Sequence, residues 1–96
     1  MTEHPTALDQ AIVRYLVLRA EYERVQALAD AAFARYFSKR QAGAPANGAA
    51  YSRLENRANY LSADLEGASF PLWQAELDPD TVWEAAQAKT KTGGAA

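Results

Sequence analysis

Apolar side chains recur at three- and four-residue intervals through most of this chain. Leu8, Ala11, Tyr15, Leu18, Tyr22, Val25, Ala29, Ala32 and Tyr36 step alternately by three and four. That is the seam of a coiled coil sustained for about four heptads. No Gly or Pro interrupts the stretch from Thr6 to Arg40. Thr6 stands where an N-cap belongs and Asp9 follows three residues later, so the two form a shortened capping box. Lys39 and Arg40 close the stretch where cations complement the helix dipole. The spacing predicts a first helix over about 6–40, roughly 52 Å long at 1.5 Å per residue.

Residues 41–48 carry Gly43, Pro45 and Gly48 and are predicted as a loop. The seam then resumes at Tyr51, Leu54, Ala58, Leu61, Leu65 and Ala68. A second helix is predicted over about 49–66, with Gly67 as its stop. One or two short carboxy-terminal helices are predicted over about 69–89. Ser69 with Pro71 offers one start signal. Asp78-Pro79-Asp80 offers a clearer one, with Asp78 as N-cap and Pro79 in the first turn. Residues 90–96 are small, polar and glycine-containing, and are predicted to be a disordered tail.

These elements predict an all-α fold. It is a long antiparallel helical hairpin, coiled-coil-like, in a single helical domain of residues 1–89. A second helix ending at Gly67 reaches back only to about Tyr22. Residues 7–22 of the first helix are then left without that partner, yet their apolar side chains point almost all round its axis. From Leu8, the positions of Ile12, Leu16, Val13 and Val17 fan out in that order around one half of the helix, and Leu18 falls in the other half. A helix apolar on every side is buried on every side. The expected covers are the chain's own carboxy-terminal segment and a second copy, so the fold is expected to be completed by self-association, with a dimer favoured.

Composition sharpens that expectation. The hydrophobic share is 49% of 96 residues, but 22 of those residues are Ala. Leu, Ile, Val and Phe together number 17, few for a self-sufficient core. No apolar run approaches the roughly 20 residues of a membrane span. The first residues lack the features of a secretory signal. With no Cys, the chain reads as cytoplasmic.

Candidate chemistry is sparse. His4 is the only histidine, and it falls in an amino terminus predicted to fray. Ser38, Ser52, Ser62 and Ser69 have no neighbouring base of the kind that activates a nucleophile. Gly43 and Gly48 form no phosphate loop. Nothing here predicts an enzyme, a cofactor or a metal site. Asp78-Pro79-Asp80, with Glu76 and Glu84 nearby, lacks the calcium-loop pattern, and N-capping accounts for both aspartates.

Binding surfaces are the better candidates. Ile12, Tyr15, Leu16 and Val17 on the first helix, with Phe70, Trp73 and Trp83, are the expected contacts for a protein partner. Charge is also uneven. Arg35, Lys39, Arg40, Arg53 and Arg57 face Glu55 alone between residues 31 and 60, whereas residues 61–88 carry six carboxylates and no base. The basic group is a candidate phosphate or nucleic-acid contact. The net charge of -2 and few cations make this secondary to a protein partner. The expected function is a non-enzymatic interaction module: a small adaptor, accessory subunit, assembly factor or inhibitor.

Overall fold

The computed structural model describes residues 5–94. Among them are three helices and no strand: α1 (Ala7–Gln41), α2 (Ala49–Gln74) and α3 (Pro79–Gly94). The all-α expectation holds. None of these helices is long and apolar enough to cross a membrane. His4 and the last two residues, Ala95 and Ala96, lie outside the described residues.

The helix starts follow from local chemistry. The Thr6 amide donates to Asp9 Oδ2 at 3.1 Å, and the Asp9 amide donates to Thr6 Oγ1 at 3.0 Å. This is the reciprocal capping box expected at α1. Asn47 Oδ1 accepts the Ala49 amide at 2.9 Å at the entry to α2. Asp78 caps α3: its carboxylate accepts the Asp80 amide at 3.2 Å and the Thr81 hydroxyl at 2.9 Å.

The helix ends explain where the sequence misleads. α1 closes on Gly43 at φ 73°, with Gly43 N–H donating to the Arg40 carbonyl and Ala44 N–H to the Lys39 carbonyl. This is a Schellman motif with glycine in the left-handed position. The end of α2 repeats that pattern without glycine. Glu76 sits at φ 61°, its N–H donates to the Trp73 carbonyl, and Leu77 N–H donates to the Leu72 carbonyl. Leu77 then joins the core cluster that contains Leu72. That apolar contact between the residue past the cap and the last turn offsets the strain of a left-handed glutamate.

Two predicted boundaries are therefore corrected. α2 does not stop at Gly67 but runs to Gln74, absorbing Ser69 and Pro71, so no separate helix starts there. The Ser69 hydroxyl folds back onto the Leu65 carbonyl at 2.8 Å instead of capping a new helix. Pro71 costs one intrahelical hydrogen bond, which burial of Ala68 and Leu72 around it outweighs. α3 runs to Gly94, into the segment predicted to be disordered. Ala85, Ala86 and Ala88 favour propagation, and the Thr90 hydroxyl is held within the helix on the Ala86 carbonyl at 3.0 Å.

α1 and α2 pack along the predicted seam. Tyr15, Val25, Ala29 and Ala32 of α1 are buried, as are Ala58, Leu61 and Ala68 of α2. The α2 seam continues one step further, to Leu72, the most buried side chain. The sequence reads as one helical domain, whereas contacts group the residues into two compact units. Among the described residues, one holds 5–19 and 65–94; the other is Ala20–Asp64.

The first, three-helix unit has a core of Tyr15, Ala68 and Leu72, against which Ile12, Leu16, Leu18, Leu65, Leu77, Val82 and Trp83 pack. One side of the apolar start of α1 thus finds its cover within the chain, from the last turns of α2 and from α3, whereas Val13 and Val17 on the other side stay 59% and 64% exposed, so the expectation of burial all round is not met. The second, two-helix unit consists of the rest of α1, the loop and the start of α2. Its buried residues are Val25, Ala29, Ala32, Ala58 and Leu61, an interface made largely of alanine.

Candidate functional site

In the three-helix unit, Arg19 organises the polar contacts. Its Nη1 donates to the Tyr15 phenol at 2.8 Å and lies 3.0 Å from Asp80 Oδ1. Its guanidinium carbon stands 5.3 Å from the centre of the Trp83 ring. One cation thus satisfies a buried phenol, covers an aromatic face and holds the first turn of α3.

These contacts reassign several predicted partner-binding residues. Tyr15 is 3% exposed and is a core residue, not a surface contact. Ile12, Leu16 and Trp83 are half-buried against the same core. Val17, Phe70 and Trp73 do remain exposed. Phe70 and Trp73 contact each other edge to face, their centroids 5.6 Å apart. The structure therefore does not bring the seven predicted contacts together as one surface. The aspartates of the Asp78-Pro79-Asp80 sequence are engaged in capping α3 and pairing with Arg19. Among the described residues, no group of three or more His, Cys, Asp or Glu is placed to hold a metal ion.

The two-helix unit carries open surfaces on both flanks of its alanine seam. On one flank, Phe33 and Phe37 are 45% and 51% exposed and stack with centroids 6.0 Å apart. Phe33 also meets Tyr51 of α2 at 5.1 Å. Gln26, Asp30, Glu55 and Asn59 border this aromatic edge. Gln26 donates to Asp30 at 3.2 Å. The Tyr51 phenol is raised above its ordinary range chiefly by its hydrogen bond to Glu55, with burial and the charges of Glu55 and Asp30 acting the same way.

The other flank is cationic. Arg24, Arg53 and Arg57 surround Val25, Leu28, Ala50 and Leu54. Nearer the loop, Arg35 and Lys39 line an adjoining hollow that shares Ala50 and is completed by Tyr36, Asn47 and Tyr51. Glu21 lies 2.6 Å from Arg24 and 3.8 Å from Arg57. Its carboxyl is lowered, chiefly by the hydrogen bond from Arg24, with the charges of Arg24 and Arg57 reinforcing it. Four of the five predicted basic residues thus share a flank. Arg40 departs from them: it donates to the Tyr36 phenol at 3.0 Å, with its guanidinium over that ring.

The sequence reading missed Phe33, Phe37, Leu28 and Arg24. All four sit beside the seam, so a count restricted to three-and-four steps passes over them. Their signal is the spacing of Phe33 to Phe37 and of Arg24 to Leu28, each one helical turn apart and flanking the stripe. Comparison with family models, curated proteins and solved structures yields no match for this chain.

Proposed function

We propose that this protein is a non-enzymatic protein–protein interaction module, a small adaptor, accessory subunit, assembly factor or inhibitor, that works as a homo-oligomer. The observation that carries this reading is the aromatic edge of the two-helix unit. Phe33 and Phe37 leave about half their surface uncovered over an interface built from alanine. A helix pair of this kind is stabilised by a further layer of helices. A second copy supplies such a layer by two-fold pairing of the Phe33–Phe37 stacks, producing a four-helix arrangement. Asp30 and Glu55 border the edge, and Gln26 donates to Asp30.

Mass by sedimentation across a wide dilution series tests the proposal. A dimer mass is expected for the native chain, and Phe33→Asp with Phe37→Asp should reduce it to monomer with helix content retained. A native chain that stays monomeric at the highest concentration overturns the second-copy reading. Association with nucleic acid is the alternative, favoured by the gathering of Arg35, Lys39, Arg53 and Arg57 on one flank. The experiment below separates it from a protein partner.

A further inference from the structure

Building on the reading of this chain as an interaction module, we infer that the cationic flank of the two-helix unit docks an acidic amphipathic helix of a partner protein. The floor of this groove is apolar. It comprises Val25, Leu28, Ala50 and Leu54, and Leu28 is 44% exposed at its centre. The banks are basic on both sides, with Arg24, Arg35 and Lys39 on α1 and Arg53 and Arg57 on α2. Glu21 offsets part of this charge. Among the described residues, Arg35, Lys39 and Arg53 form no ion pair. Arg24 to Lys39 spans roughly 22 Å of helix axis, about four turns of a guest helix.

An apolar floor between cationic banks fits a guest with an apolar stripe between rows of carboxylates. A phosphate backbone matches the banks but gains nothing from Leu28 and Leu54. The exposed rings Phe33 and Phe37 lie on the opposite flank, and of the two rings at the loop end of the groove Tyr36 already carries the Arg40 guanidinium and Tyr51 packs on Phe33. The three-helix unit shows the same chemistry within the chain. There α3 brings Val82, Trp83 and Asp80 onto α1, and Arg19 engages both the ring and the carboxylate.

The test is fluorescence anisotropy of the full chain with a labelled helical peptide carrying leucines at i, i+3, i+4 and i+7 between rows of glutamate. The controls are a scrambled peptide of the same composition and a single-stranded oligonucleotide of the same charge. The patterned peptide should bind about tenfold or more tighter than either control. Arg35→Glu with Arg53→Glu should weaken it by about tenfold or more, and a peptide with lysines in place of the glutamates should recover binding to that variant. Leu28→Asp should weaken it comparably. Circular dichroism confirms that each variant is folded, and the exposed Arg53→Gln variant supplies a milder loss in the same direction.

Failure of the patterned peptide to bind, equal binding of the scrambled peptide, or tighter binding of the oligonucleotide overturns the inference; the last result moves the groove to nucleic acid. Sedimentation of the same samples keeps the two proposals apart. Lost peptide binding at unchanged dimer mass removes the groove alone. A monomer that still binds the peptide removes the second-copy reading alone.

Discussion

α1 and α2 contribute to both units, but the units bury them differently. In the three-helix unit, Tyr15 and Leu72 sit at the centre, and α3 adds Val82 and Trp83. In the two-helix unit, Ala29, Ala32 and Ala58 hold the interface, while Leu28, Phe33, Phe37 and Tyr60 remain exposed. Alanine lets helix backbones approach closely but removes little apolar area from water. The large side chains of this unit are displaced onto its flanks and outer face. Larger side chains are thus buried where a third helix is present, although Val13, Val17, Phe70 and Trp73 stay exposed in that unit too. The seam pattern is the same in both units; the size of the side chains occupying it differs.

The largest test of this contrast removes the most buried side chain. Leu72→Ala should cost about 2–5 kcal/mol in urea unfolding, because a fully enclosed site collapses poorly around the lost atoms. Val25→Ala, in the alanine interface, should cost about 2 kcal/mol. Equal losses would break the contrast between the units.

Arg19→Met comes next. It keeps the stem but removes the bond to Tyr15, the cover over Trp83 and the pairing with Asp80. The expected loss is about 1–2 kcal/mol, with hydrogen exchange accelerated first in α3. Uniform acceleration along all three helices would show that Arg19 does not specifically hold α3.

Glu76→Gly should act in the opposite direction. Glycine relieves the left-handed strain at the end of α2, and thermal unfolding should show a gain of about 1 kcal/mol. A loss would mean that the Glu76 side chain contributes more than its backbone conformation costs.

The smallest effect is electrostatic and confined to the two-helix unit. Glu21 has a lowered carboxyl pKa, so its contribution to stability is present above the ordinary carboxylate range and fades as pH falls through the lowered value. The difference in stability between the native chain and Glu21→Gln should therefore shrink on acidification. A difference that persists in acid would exclude ionisation of Glu21 as its cause. Because the carboxylate is exposed, added salt should reduce the effect as well.

Much of the fold was legible in the chain. Three-and-four spacing identifies the stripe along which α1 and α2 pack, because helical periodicity places those residues on one face wherever the partner comes from. Thr6 with Asp9, Gly43 and Asp78 mark helix ends through local hydrogen bonds that need no tertiary support. The candidate site was less legible. Five basic residues were identified, but the groove that four of them share, and its apolar floor at Leu28, depends on how two helix flanks meet. Tyr15 looked like an interface residue because an aromatic on a seam has the same spacing whether another chain or the chain's own helices cover it.

Other outcomes were settled only by packing. Gly67 and Pro71 are breakers by propensity, yet α2 passes through both because burial of Ala68 and Leu72 outweighs the local cost. Glu76 has no intrinsic preference for a left-handed cap, and adopts one because Leu77 then reaches the core beside Leu72. The apolar start of α1 required a cover that periodicity alone could not name. Local sequence specifies which backbone groups and faces need partners, through hydrogen bonding and periodicity. Which segment meets each need depends on the free energy of side chains distant in sequence, and that exists only once the helices have packed.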